Sequence, residues 1–492
     1  MTATIEAPTA SLKLAERLRA RIGTDKVLTD PAQLRTYECD GLASYRVRPG
    51  VVVLAAHRDD VVQTVRLCAE AGIPFVARGS GTGLSGGALP VADGVLIVLS
   101  RMRQIRSVDP DNARVVVEPG VINLWVTREA APHDQAYAPD PSSQQVCSIG
   151  GNLAENAGGA HCLKYGFTVN HVMGAEVVLA SGEVVHLGGA APEHPGYDLL
   201  GAFVGSEGTL GVATEITVRT IRVPESVQTM LVGFSSVEDA AGAVSDIIAA
   251  GILPAAIEMM DALAIEAAEA AVKCGYPAGA VAVLVIELDG PQAEVDAQFR
   301  QVEGLVQARN AFETRIAQDA AERALMWKGR KSAFAAVGRI SPAYIVQDGV
   351  IPRTRLPEVL ADITRLADEA QMRVANVFHA GDGNLHPLIL FDDAVPGAAH
   401  AAEELGFAIL DRCLDAGGSI TGEHGVGVEK KSKMSRQFTA GDLDTMQLVR
   451  CAFDPDGLAN PGKLFPTPRL CGERPGVHTA ADARDPALGE VF

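Results

Sequence analysis

The chain has 492 residues, too many for one hydrophobic core and close to the length of three domains at about 150 residues each. Its 47% apolar and 21% charged residues are those of an ordinary globular protein, neither disordered nor fibrous. With 42 basic against 61 acidic residues the net charge is −19, which repels phosphate backbones and argues against nucleic acid or anionic membrane as a main partner.

The first eight residues carry no basic region ahead of an apolar core, so no signal peptide is expected. Ser11 is placed to cap a helix bearing Leu14, Leu18 and Ile22, within a helical segment over 1–46. A strand-rich block follows over 47–224. In it a helix is expected from Asp60 to a stop at Gly72, with His57 a surface residue at its start. Short strands come next at 73–77, 94–99 and 114–118, then a hairpin whose arms, 175–180 and 183–187, meet at Ser181-Gly182. The strand 212–218 ends the block before Pro224. From 225 to 429 the pattern is α+β on an antiparallel sheet, with strands near 227–234, 255–259 and 280–288. A capping box of Ser235 and Glu238 starts one of its helices. Residues 430–470 read as helical and 471–492 as a polar tail. No stretch approaches the ~18 apolar residues of a membrane-spanning helix. The eight cysteines are never closer than fifteen residues apart, which leaves no iron–sulfur run and favours reduced thiols in the cytoplasm.

Gly81-x-Gly83-x-x-Gly86 has the spacing of a dinucleotide fingerprint, but Pro90 and Gly94 follow where the required helix should run. The Rossmann reading is therefore rejected. The loop is either a nest of backbone N–H groups for an anion or a structural turn. Two more clusters, Ile149-Gly150-Gly151-Asn152 to Gly159 and Gly205 to Gly211, suggest backbone packed along one long ligand, with Ser and Asn as donors. Further on, His379 and His386 flank the turn Gly381-Asp382-Gly383, and Glu423-His424 sits between two glycines forty-four residues beyond His379. Two imidazoles and a carboxylate can form an open divalent-metal site; the alternative is a set of hydrogen-bonded loop histidines.

From about Val51 to Pro466 this combination resembles the vanillyl-alcohol-oxidase-type family of FAD-linked D-2-hydroxyacid dehydrogenases. Within it the chain looks most like the FAD-bearing catalytic subunits of bacterial glycolate dehydrogenases, beside D-lactate and D-2-hydroxyglutarate dehydrogenases. The resemblance implies an α+β fold, with a PCMH-type FAD-binding domain over 47–224. An FAD-linked oxidase C-terminal cap domain follows over 225–429, and 430–470 returns to the FAD domain. It places FAD on Arg78, Gly79, Ser80, Gly81, Thr82, Gly83 and Leu84, and on Pro141, Ser142, Gly150, Gly151, Asn152, Asn156 and Gly158. Further contacts fall at Glu207, Gly208, Thr209, Gly211 and Asn460. No histidine lies between Ala77 and Pro90, so the flavin is expected to be non-covalent.

The same resemblance implies a divalent metal, zinc or manganese, on His379, His386 and Glu423. Arg330, in Trp327-Lys328-Gly329-Arg330-Lys331, would clamp the substrate carboxylate, although such a basic run is ordinarily a solvated helix face. His424 would take the hydroxyl proton as hydride passes from C2 to flavin N5. The segments at Tyr344–Pro352 and just after His386 read as apolar, pointing to a small substrate such as glycolate or D-lactate. The implied acceptors are a second flavin-fold subunit and an iron–sulfur subunit leading to quinone, with the chain peripheral at the inner membrane through them. D-lactate or D-2-hydroxyglutarate dehydrogenases acting alone, an oxygen-using oxidase and a non-catalytic flavin-fold subunit are the competing readings.

Overall fold

A computed structural model describes residues 9–466 except 192–194; the expected polar tail and Cys471 lie outside them. The chain divides into two compact units. One contains the chain up to Ala157, Phe167–Arg222 and the chain from Glu423; the other contains Gly158–Gly166 and Val223–Gly422.

The first unit has two main sheets. In the smaller, Val51–Leu54, Val95–Val98 and Phe75–Arg78 run parallel, and Val27–Leu28 pairs antiparallel at one edge. These valine-rich strands are buried against Leu14, Leu18, Val61 and Val65 of two helices. The first helix, Thr9–Ile22, already includes Ser11, so Ser11 is no cap; its hydroxyl donates to the Asp93 carbonyl instead. The second, Arg58–Ala71, begins two residues before the expected Asp60. Asp60 sits in its first turn and accepts the N–H groups of Ala56 and His57. His57 is the exposed N-cap and Gly72 (φ +63°) the stop. The larger sheet is five antiparallel strands, and it includes the expected hairpin as Val172–Val178 and Val184–Gly188. Among the described residues Cys39, Cys68, Cys147, Cys162, Cys274 and Cys413 are free thiols.

The second unit is a mainly antiparallel sheet covered by helices on both faces. Its strands run in the order Glu313–Ile316, Ser226–Phe234, Ala282–Gly290, Ala256–Asp261 and Arg373–His379. The apolar run 282–286 of the strand Ala282–Gly290 follows from burial on both sides: Leu284 and Ile286 enter one core, Val283 and Val285 the other. The helix after Ser226–Phe234 is capped by Ser236, whose hydroxyl accepts from Asp239, one residue later than the expected Ser235. Among the described residues no helix is long and apolar enough to cross a membrane.

Candidate active site

In the first unit the glycine loop leaves Phe75–Arg78 and reaches Val95–Val98 with no helix between them, as the proline and glycine required. The Arg78 guanidinium does not face outward. It donates to the carbonyls of Ala88 and Tyr37 and closes the loop on itself. Among the described residues, none of the backbone N–H groups of residues 79–85 donates to a protein carbonyl. At Gly79 a Cβ would stand 2.0 Å from the Ser148 hydroxyl, which caps the short helix Ile149–Glu155 carrying Gly150, Gly151 and Asn152. Gly81 has φ +69°.

The other clusters meet this loop. Asn460 donates to the carbonyls of Gly87 and Glu207, and Lys463 to those of Leu89 and the Asn460 side chain. Burial pushes the Lys463 ammonium down to about 8. The Glu207 carboxylate accepts Val426 N–H at 2.6 Å and Gly427 N–H at 2.7 Å. Asn152 is bonded to Asn123, Asn156 accepts from Val169, and Thr209 donates to Ser206 O. The expected Ser and Asn donors are thus largely turned inward, and the loops offer backbone. Pro141 is buried and Ser142 exposed, Gly208 (φ +72°) and Gly211 (φ +139°) have positive φ, which favours glycine, and Gly158 belongs to the segment counted with the second unit. Ser85 Oγ, Ser206 Oγ and Glu155 Oε2 are buried without a hydrogen-bond partner among the described residues. A run of unused N–H groups, a glycine at 79 that admits no side chain and the orphaned buried hydroxyls of Ser85 and Ser206 fit a long anionic cofactor.

In the second unit the turn between Arg373–His379 and Asn384–Leu385 is tight because Gly383 has φ +81° and would place a Cβ 2.1 Å from Ile351 O. It sets the His379 and His386 rings 5.1 Å apart at 87°, with ring nitrogens within 4.8 Å of each other. Both are buried. His379 Nδ1 lies 2.8 Å from Glu258 Oε1, so Nδ1 carries the proton and Nε2 is left as a ligand nitrogen. Asp348 Oδ1 is 3.5 Å from His386 Nε2. The same carboxylate accepts from Thr421 Oγ1 at 2.5 Å and from Gly422 N–H at 3.0 Å. Gly422 packs against Asn384, two residues before His386, and Glu423-His424 follows Gly422 directly in the chain.

Arg330 contradicts the solvated-helix-face reading of its basic run. It lies in Ala320–Val337 with 2% exposure, its Nη2 2.5 Å from Glu258 Oε2. Neither its Nε nor its Nη2 has a hydrogen-bond partner among the described residues, so the contact with Glu258 is an ion pair, and the Phe334 ring lies 5.8 Å from Cζ. The segment read as apolar carries Gln347 and Asp348, both with no exposure. Glu258 and Asp348 are the residues that sequence reasoning missed. A lone glutamate inside the apolar run Ala255–Met260 was the available signal for the first.

Residues 223–464 match the C-terminal domain of FAD linked oxidases, and residues 49–188 match an FAD binding domain. The chain is 50% identical over 461 residues to the glycolate oxidase subunit GlcD of Escherichia coli K12, covering 94% of this chain and 92% of that one. The chain belongs to the FAD-linked oxidases. A D-lactate dehydrogenase of Anaerostipes hadrus is 31% identical, covering 90% of this chain and 95% of its own length. The fold also matches 4-ethylphenol oxidase from Gulosibacter chungangensis with a TM-score of 0.79 at 18% identity, covering 94% and 98% of the two chains. This FAD-linked oxidase is accordingly an FAD-binding oxidoreductase, with a PCMH-type FAD domain and an antiparallel cap.

Proposed function

We propose that the enzyme oxidises a small 2-hydroxy acid, glycolate or D-lactate, to the 2-oxo acid and passes the electrons to a partner subunit or quinone. The observation that carries this reading is Arg330: a buried guanidinium with an unused Nε, tied through one carboxylate to a histidine pair. A planar fork in that setting suits a substrate carboxylate. The names borne by the relatives, glycolate oxidase subunit and D-lactate dehydrogenase, agree with it.

In this reading residues 78–84 hold the FAD pyrophosphate through backbone N–H groups. Pro141, Ser142, Gly150, Gly151, Asn152, Asn156, Gly158, Glu207–Thr209, Gly211 and Asn460 line the rest. The flavin is non-covalent, since no histidine adjoins the glycine loop. When bound, it supplies the hydride acceptor. His379, His386 and Glu423 would hold a divalent ion, zinc or manganese, which supplies a Lewis acid for the substrate hydroxyl. Arg330 fixes the substrate through its carboxylate, and Phe334 beside it favours a short, apolar C3 end. Asp348 anchors the segment that delivers Glu423 and His424. His424 accepts the hydroxyl proton, a role a neutral imidazole can fill. With no closely spaced cysteines in the sequence the acceptor lies on another chain, and the resemblance to glycolate dehydrogenases implies a second flavin-fold subunit and an iron–sulfur subunit at the inner membrane.

Anaerobic mixing with glycolate, each lactate enantiomer and D-2-hydroxyglutarate tests this reading. Flavin bleaching is expected with glycolate and D-lactate, and colour should return with a quinone far faster than with air. Bleaching by D-2-hydroxyglutarate alone would place the enzyme with dicarboxylate dehydrogenases. No bleaching by any of the four would mark a non-catalytic subunit.

A further inference from the structure

Glu258 is held on both sides of its carboxylate. It sits in Ala256–Asp261 with 1% exposure; Oε1 lies 2.8 Å from His379 Nδ1 and Oε2 2.5 Å from Arg330 Nη2. One buried negative charge therefore serves two groups that meet ligands of opposite sign. Toward His379 it fixes the tautomer and makes the ring a stronger donor to a cation. Toward Arg330 the contact is one of charge, with Glu258 Oε2 and Arg330 Nη2 both lacking a hydrogen-bond partner among the described residues; it neutralises the guanidinium, so an incoming carboxylate must share the cation.

From this we propose that Glu258 is a positioning residue that sets two affinities in opposite directions: it strengthens metal binding at His379 and tempers carboxylate binding at Arg330. The tempering has a use. A fully unpaired buried guanidinium would hold the 2-oxo acid product as firmly as the substrate, and the standing ion pair with Glu258 lets that carboxylate leave. The inference rests on the roles proposed above for His379 and Arg330. A residue that merely packs between strand and helix would, when altered, loosen both ligands together, so the opposite signs are the signature.

The test uses the full-length, FAD-loaded protein stripped of divalent metal with a chelator. Its probes are Mn²⁺, and acetate as a carboxylate without a 2-hydroxyl. In Glu258→Gln, which keeps the shape and removes the charge, the dissociation constant for Mn²⁺ should rise roughly 10–100-fold. That for acetate should fall on the order of tenfold, because one like charge near the bound anion is gone. Glu258→Asp, which keeps the charge but shortens the arm to His379, should lose Mn²⁺ affinity while leaving acetate near wild type. Parallel weakening of both ligands in Glu258→Gln, or no change in either, overturns the proposal. Should Glu258→Gln not fold, Glu258→Gln/Arg330→Met removes both buried charges and still reads the metal: undiminished Mn²⁺ affinity there also overturns it. His379→Ala separates this failure from that of the proposed function. Retained metal in His379→Ala removes the metal site itself, whereas metal lost in His379→Ala but kept in Glu258→Gln removes only the role of Glu258.

Discussion

The two units build their candidate sites from different material. In the first, polar side chains at the expected contacts are largely turned inward: Arg78 onto Ala88 and Tyr37, Asn460 onto Gly87 and Glu207, Glu207 onto Val426 and Gly427. What the loops present is backbone. In the second, the candidate groups are side chains, His379, His386 and Arg330, each beside a buried carboxylate. A backbone site is sensitive to shape and tolerant of side-chain chemistry; a side-chain site is the reverse. Substitutions should therefore sort by unit, except for the segment after Gly422, which brings reactive side chains onto the first.

His424→Ala should give the largest effect and is the exception that sharpens the contrast. If His424 takes the hydroxyl proton, its loss should slow flavin reduction roughly 10²–10⁴-fold while FAD and metal stay bound. In the wild type the reduction rate should fall toward acid pH, because a protonated imidazole cannot accept a proton, and in the variant that limb should vanish. Stopped-flow bleaching against pH reads both. A variant that loses its metal would make His424 a ligand instead.

Next come His379→Ala, His386→Ala and Glu423→Ala. Each should lower bound divalent metal and slow reduction with FAD stoichiometry unchanged. Metal analysis that shows full occupancy in all three would place the ligands elsewhere.

The backbone site breaks differently. Gly79→Val puts a side chain where Ser148 Oγ already stands, so it should distort the loop and empty it of FAD. Gly83 is the sharper position: it does not have positive φ, and the nearest atom to an added Cβ is 3.9 Å away. Gly83→Ala should therefore leave the melting of the flavin-free protein unchanged and still weaken FAD, because only the cofactor approaches there. Full FAD retention in Gly83→Ala would move the cradle off that residue.

Legibility followed the same division. The loops of the first unit could be read because glycine is conspicuous and its reasons are local: a turn, a positive φ, a close approach. The missing helix after Gly86 followed from Pro90 and Gly94 alone. The histidine turn was readable for the same cause, Gly381 and Gly383. What could not be read was what lies across space from these residues. Glu258 is 121 positions from His379 and Asp348 is 74 from Gly422, and each pairs with them through sheet register or loop packing. Arg330 looked like surface because a basic run on a helix usually is; burial against Glu258 depended on a strand seventy residues earlier. Boundaries slipped by a residue or two at Ser11 and Ser235, at the latter because two adjacent hydroxyls compete for one cap.

The smallest effect expected concerns how the second unit holds its strands in place, and it has a definite sign. Asp261 caps the helix Ala262–Val272 through Ala264 N–H, and its other oxygen accepts from Asn376 N–H and side-chain N–H at 2.8 and 2.9 Å. Asp261 thus ties the strand bearing Glu258 to the strand bearing His379. Complete burial pushes its carboxyl from the ordinary 3.8 up to about 6, while those hydrogen bonds pull the other way without prevailing. A carboxyl raised on folding contributes stability that is full below its unfolded value and is lost as pH rises through the folded one. Asp261→Asn cannot titrate and loses an acceptor for Asn376, so it should be less stable than wild type. The deficit should be largest near pH 4 and shrink, by on the order of 2 kcal/mol, as the pH passes about 6 and the wild type takes on its buried charge. Urea melts of both proteins across that range, compared at each pH so that other groups cancel, decide it. A deficit that grows with pH would mean the three N–H groups outweigh burial and that Asp261 is an ionised anchor across the whole range.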